Sequence, residues 1–205
     1  MKWVGLTGGI ATGKSTVAKL IESRGYPIID ADFISHQLTE VQAVGYVQII
    51  NSFGTKIVNQ DQTLNRNLLA TIIFNDKEKK QVLEGILHPL IQTEVLKLKE
   101  KAYKTGATIC FYDVPLLFEK NMQAHFDSVI LVWCDPLIQK IRLQLRNHLT
   151  EIEIQSRIDS QMAMAHKIKN ASHCIDNSTD LDALKKQCES LLERLSSSSQ
   201  VGSRT

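Results

Sequence analysis

The chemistry most legible in this chain sits near its N-terminus. Gly8-Gly-Ile-Ala-Thr-Gly13-Lys14-Ser15-Thr16 fits the pattern G-x-x-x-x-G-K-[ST]. Glycines at 8, 9 and 13 let the backbone wrap tightly, with its N–H groups turned inward to form a concavity for anions. A helix starting near Lys14 adds the positive end of its dipole. Lys14 supplies a point charge for the β and γ phosphates, and the Ser15 hydroxyl can ligate Mg²⁺. A glycine-rich turn between a strand and a helix would have the same composition. Here an apolar run, Met1–Thr7, precedes the loop and a helical pattern, Val17–Ile21, follows it. That context favours a nucleotide site.

Further groups fall where strands should end. Ile28-Ile29 reads as a short strand closing in Asp30-Ala-Asp32. In open α/β sheets ligands lie beyond the carboxyl ends of strands. Two carboxylates one residue apart can divide labour, one orienting Mg²⁺-bound water and one accepting a proton from a substrate hydroxyl. Capping of a helix that begins at Phe33 explains Asp32 equally well. Asp113 closes the apolar run Ala107–Tyr112, in the place of a carboxylate that holds Mg²⁺ through water, or of a plain turn acid. The apolar stretch Val114–Phe118 with Glu119 is unusual in a loop at that edge and suits an apolar part of a ligand. Arg142 and Arg146 stand one turn apart on a helix from Leu137. Guanidinium forks match phosphate oxygens; a solvated helix face is the alternative.

These residues need a scaffold. The chain has 205 residues, 43% apolar and 22% charged, with a net charge of +2, which suits one compact domain with room for an inserted subdomain. The charge excludes a general nucleic-acid coat or membrane-surface protein, no run approaches a membrane span, and the chain enters a strand at once, so neither nucleic acid nor membrane is an expected partner. Four scattered cysteines without a C-x-x-C pair read as buried free thiols in a reducing cytoplasm rather than a zinc site.

The fold class expected is α/β: a five-stranded parallel sheet of P-loop type covered by helices, with a helical insertion and a lid. The core covers 1–39, 106–146 and 173–195. The insertion covers about 40–105, with Val44, Val47, Ile50 and Ile57 as its apolar positions and turns at Phe53-Gly54 and Asn59–Asp61. Asp76 reads as an N-cap for a helix that proline should end or kink at His88-Pro89, and a further helix runs from Leu90 to about Tyr103. His88, beside that break, reads as structural. A capping box, Thr150–Glu153, opens a helix through Arg157 and Gln161 to Met164. With Lys167 and Lys169 it makes a segment, about 147–170, that reads as a mobile lid or a plain surface helix. His173–Asn177 is the fifth strand, Asp180 caps a helix to Leu195, and 196–205 reads as disordered.

The chain resembles the bacterial dephospho-CoA kinases over essentially residues 3 to 195. The motifs that carry the resemblance are Leu6–Thr16, Ile29-Asp-Ala-Asp32, Arg66 with Leu69 and Phe74, and His88-Pro-Leu-Ile91. Asp113–Glu119, Arg142 with Arg146, Gln161 and Ile175-Asp-Asn177 complete the set. The loop alone is common to many ATPases and GTPases; Asp-Ala-Asp, His-Pro-Leu-Ile and Pro-Leu-Leu-Phe-Glu together are far more specific. The resemblance implies transfer of the ATP γ-phosphate to the ribose 3′-hydroxyl of dephospho-CoA, with Mg²⁺, by a monomer or weak homo-oligomer. It implies Asp32 as general base, with Lys14, Arg142 and Arg146 neutralising phosphate charge. ATP contacts would come from Gly9, Ala11, Thr12, Gly13, Lys14, Ser15, Thr16, Arg142 and Asn177, the last near the adenine. Acceptor contacts would come from Asp32, His88 and the loop Pro115, Leu116, Leu117, Phe118 and Glu119; Ser15 and Asp113 would serve the metal. Departures from the family pattern stand at Gln62, Asn147 and Ser172, the first where a turn glycine is common. The nearest alternative is another P-loop small-molecule kinase, such as a nucleoside monophosphate kinase. A GTPase-type switch would need a guanine-reading motif that Asp176-Asn177 does not supply.

Overall fold

The computed structural model describes residues 1–147 and 149–200. Five strands, β1 (Lys2–Gly8), β2 (Ile28–Asp30), β3 (Ile109–Asp113), β4 (Ser128–Trp133) and β5 (His173–Asp176), form one sheet in the order β2-β3-β1-β4-β5. The ladders of β1 with β3, β1 with β4 and β4 with β5 are parallel. Parallel strands need helical crossovers that cover both faces, so the central strands read as unbroken apolar runs. All five residues of β3 are buried, including Asp113.

One face of the sheet packs Val4, Leu6, Ile109, Phe111, Ile130, Val132 and Ile175 against Val17 and Ile21 of α1 (Lys14–Ser23). Leu184, Cys188, Leu191, Leu192 and Leu195 of α9 (Leu181–Gln200) close the same cluster. Each such side chain stabilises the fold by about 1.5–3 kcal/mol relative to exposure. Trp3 stacks on Tyr112 and Phe126 with ring centroids 5.4 and 6.0 Å apart. The register carries the functional consequence. Leu6 pairs with Asp113, Gly8 with Val132, and Trp133 with Asp176. Asp113, the loop after β1 and Asn177 therefore emerge along one edge.

The chain divides into two compact units, 1–29 with 102–205, and 30–101; the second boundary lies within α5 (Lys77–Lys104). The sheet lies in the first. The second is built from α2 (Ala31–Leu38), α3 (Val44–Phe53), α4 (Arg66–Asn75) and most of α5. Its core joins Tyr46, Ile49, Ile57, Leu64, Leu69 and Leu83. Asn65 caps α4 by accepting from Leu68 N, and Arg66 donates to Thr39 Oγ1 at 2.7 Å.

Several sequence expectations need correction. Val44 and Val47 are 50% and 46% exposed; α3 buries Gly45, Tyr46 and Ile49 instead. Gly45 sets that face, because a Cβ there would lie 2.5 Å from the Leu38 carbonyl. Pro89 does not end its helix: α5 runs through it. A proline inside a helix gives up one intrahelical hydrogen bond, and α5 continues past that loss. Cys174 is exposed on the edge strand β5, unlike Cys110, Cys134 and Cys188. The helix opened by the Thr150 box ends at Asp159 (α7, Glu151–Asp159), and α8 begins afresh at Met164 (Met164–Asn170). Residues 196–200 continue α9 instead of being disordered; residues 201–205, placed in the same tail, lie outside the described residues.

Gln62 holds φ +68, a left-handed conformation that costs a residue with a Cβ about 1–2 kcal/mol. Gln62→Gly is expected to raise the free energy of unfolding by about 1 kcal/mol, measured by urea denaturation. An unchanged or lower midpoint contradicts this account of the turn.

Candidate active site

The loop between β1 and α1 is shaped by space as much as by torsion. Only Ala11 (φ 57) and Gly13 (φ 89) take left-handed angles. Gly8 and Gly9 are required by packing instead. A Cβ at Gly8 would lie 2.8 Å from both Thr12 Oγ1 and the Val132 carbonyl, and one at Gly9 2.8 Å from Met164 Cε. The loop's carbonyls are tied away from its hollow. Thr12 Oγ1 donates to Gly9 O at 2.9 Å, and Gln139 Nε2 donates to Ile10 O at 2.7 Å. Asn177 Nδ2 donates to Thr12 O at 2.8 Å. This last bond leaves no room behind Gly13, whose Cβ would fall 2.0 Å from the same nitrogen.

Lys14 opens α1 and pairs its ammonium with the Asp113 carboxylate, which is 3% exposed at the end of β3. Ser15 follows in the first turn of α1 and is exposed, and Thr16 N–H bonds Gly13 O at 2.9 Å. One hydroxyl and one carboxylate are the hard oxygen donors that Mg²⁺ prefers. It draws few ligands from protein and takes the rest from phosphate and water, so the pair fits that ion. No group of three or more acidic, histidine or cysteine ligands occurs among the described residues.

Arg142 lies on α6 (Pro136–Asn147), half-buried, 3.9 Å from the Cβ position of Gly13. Its Nη1 is buried without a hydrogen-bond partner among the described residues. An unpaired buried guanidinium nitrogen is costly, and a phosphate oxygen is the acceptor it suits. Burial pushes the Cys134 thiol up, with the neighbouring Arg142 opposing that rise. Arg146, one turn on, is exposed.

The Pro115–Glu119 loop differs from its sequence reading. Leu117 and Phe118 are 0% and 2% exposed. Leu117 packs so close to β1 that a Cβ at Gly5 would lie 2.7 Å from it. Their apolar character serves the core, which leaves Leu116 exposed and Pro115 half-buried. Glu119 turns to Lys167 at 2.7 Å and to Met162 N–H at 3.0 Å. Its Oε1 is engaged by protein, while Oε2 is buried without a hydrogen-bond partner among the described residues.

In the helical unit, Asp30 and not Asp32 caps α2, accepting from Phe33 N at 2.9 Å. Asp32 sits exposed in the first turn, so the capping explanation for it does not hold. His88 is exposed within α5. Sequence reasoning missed Gln139 and the burial of Lys167. Nothing local marks a glutamine that serves a loop 129 residues away, or a lysine whose partner lies 48 positions back. The departure at Ser172 is accommodated, since its hydroxyl accepts from Val129 N at 3.0 Å.

This fold and loop define a P-loop nucleotide-binding protein. Residues 2–183 match the family model for dephospho-CoA kinase. A dephospho-CoA kinase of Listeria innocua is 42% identical over 193 residues, 94% of this chain and 96% of that one. A crystal structure from Thermus thermophilus superposes with TM-score 0.79 at 29% identity, covering 95% of this chain and 97% of that chain. A dephospho-CoA kinase from Campylobacter jejuni gives TM-score 0.71 at 27% identity, with 96% and 98% covered. The chain belongs to the dephospho-CoA kinase family.

Two outcomes follow from this geometry. Gly13→Ala drives a methyl group into the Asn177 amide, and ATP affinity is expected to fall at least about tenfold in a direct titration, the cost of a displaced buried hydrogen bond. For Glu119, burial pushes the carboxyl up, but hydrogen bonds from Lys167, its own amide and Met162, with the ammonium charge, outweigh burial and hold it below its ordinary value of 4.5. Its stabilising contribution is present above about pH 4.5 and lost as pH falls through the lower folded value. Acid unfolding of the native protein should therefore be steeper below that pH than that of Glu119→Gln; equal slopes contradict the pairing.

Proposed function

We propose the following division of roles in the ATP-dependent phosphorylation of the ribose 3′-hydroxyl of dephospho-CoA, which gives coenzyme A and ADP. The N–H groups of Ala11 and of Gly13 to Ser15 bind the ATP phosphates within the loop Gly9 to Thr16, with Lys14 on the β and γ groups. Arg142, with its unpartnered buried Nη1, takes up charge on the transferring phosphoryl group, and Arg146 adds a second, solvent-screened charge. The Ser15 hydroxyl and Asp113 would hold Mg²⁺, which would supply charge neutralisation on the phosphates. Asp32 accepts the proton of the attacking 3′-hydroxyl. The helical insertion of about 40–105, with His88, binds the rest of the acceptor; Pro115 and Leu116 are further acceptor contacts. The segment from Asn147 to Ser160 covers the nucleotide. Asn177 serves the donor side by holding the Thr12 carbonyl. Four cysteines without disulfide partners suit the cytoplasm.

The observation that carries this reading is the convergence on one edge of the sheet of the loop, Lys14, buried Asp113 and half-buried Arg142. Such a set needs a polyphosphate to complete it.

ADP release is measured with ATP and Mg²⁺ against dephospho-CoA, adenosine and AMP offered separately. Turnover is expected with dephospho-CoA, and its absence there with turnover on AMP would sink the reading. Asp32→Asn is expected to lower kcat on the order of 10²-fold, the scale of a general base, with ATP affinity retained. Near-native turnover would remove Asp32 from the chemistry. Lys14→Ala is expected to abolish transfer.

A further inference from the structure

Lys167 is fully buried in α8, and Glu119 Oε1, 2.7 Å away, is its acidic partner. Burying an ion pair costs several kcal/mol of desolvation per ion before any attraction is counted, so such a pair is a poor route to stability alone. What it positions is more telling. Glu119 Oε1 also accepts the Met162 amide at 3.0 Å, which fixes the chain just after α7. The preceding residue, Gln161, reaches the phosphate-binding loop and accepts Ile10 N–H on its Oε1 at 2.9 Å. Gln139 holds the other side of the same residue through Ile10 O. Met164, two residues beyond Met162, closes over Gly9, where a Cβ would meet its methyl at 2.8 Å.

The order of contacts is therefore Lys167, Glu119, the Met162 amide, Gln161 and the Ile10 amide. Ile10 N–H belongs to the run of loop amides that could turn toward a phosphate. Gln161 engages it from outside, while the Gly13, Lys14 and Ser15 end stays open. We infer that Glu119 and Lys167 are positioning residues for the phosphate-binding loop, acting through Gln161 on the Ile10 peptide and setting the loop shape that receives ATP. The inference rests on the loop being the ATP site. It places 161–167 of the segment first read as a lid in the frame of the donor site.

Direct ATP titration without acceptor, thermal unfolding and the KM for dephospho-CoA are measured on Gln161→Ala, Glu119→Gln, the Gln161→Ala/Glu119→Gln pair and Glu119→Gln/Lys167→Met. Gln161 is half-buried and its truncation leaves the core intact, so it remains informative even if a charge variant folds poorly. Each single variant is expected to weaken ATP binding about tenfold, the scale of one lost buried hydrogen bond, with KM for dephospho-CoA within about twofold. The Gln161→Ala/Glu119→Gln pair should be no weaker than its weaker member, because both act on one peptide. Multiplying effects, or a lower melting temperature with unchanged ATP affinity, overturn the inference. Lys14→Ala is the control: if it binds ATP as the native protein does, the loop is not the donor site and the reading beneath the inference fails instead.

Discussion

The site depends on one constraint: the carbonyls of the loop after β1 must be held back from the anion that its remaining free amides would bind. A short backbone hollow has no intrinsic preference for that arrangement, and each carbonyl left facing inward would repel a phosphate. Thr12, Gln139 and Asn177 tie three of them back, from the loop itself, from α6 and from the residue after β5. In the order β3-β1-β4-β5 the ends of β4 and β5 lie on one side of β1, and the residues that follow them supply Gln139 and Asn177 to the loop. The glycines serve the same end. Gly13 leaves space for the Asn177 amide, and Gly9 for Met164.

Charge placement is a second layer on that frame. Asp113 is buried at the end of β3, where a carboxylate alone would be costly, and the Lys14 ammonium offsets the cost. Arg142 has no such offset for Nη1 within the described residues. The donor site thus holds one cation matched by an acid and one with a bond still to make. A polyphosphate with a divalent ion can satisfy both, with charge positioned before substrate arrives.

Much of this was legible in the sequence, and the divide has a physical basis. Spacing within one element was reliable: the loop pattern, the Thr150 capping box, the strand ending at Asp113 and the fifth strand, read one residue too long to Asn177, all concern neighbours in the chain. Misreadings came where a distant partner decides. Leu117 and Phe118 look like a ligand-facing apolar loop until β1 is packed on them. Lys167 looks like a surface lid residue until Glu119 is brought to it. Pro89 lies inside one continuous helix, and the face of α3 shifts because Gly45 meets Leu38. The family resemblance implies a place near the adenine for Asn177, and the structure adds a different task, its amide nitrogen bonding the loop backbone.

That last difference gives the most direct test of the account. The affinities of ATP and of inorganic triphosphate are compared for the native protein and Asn177→Ala by calorimetric titration. If Asn177 works by holding the Thr12 carbonyl, both ligands lose affinity by the same factor, about tenfold for one buried hydrogen bond. A loss confined to ATP, with triphosphate binding unchanged, would mean that the residue reads the base and that the loop keeps its shape without being held.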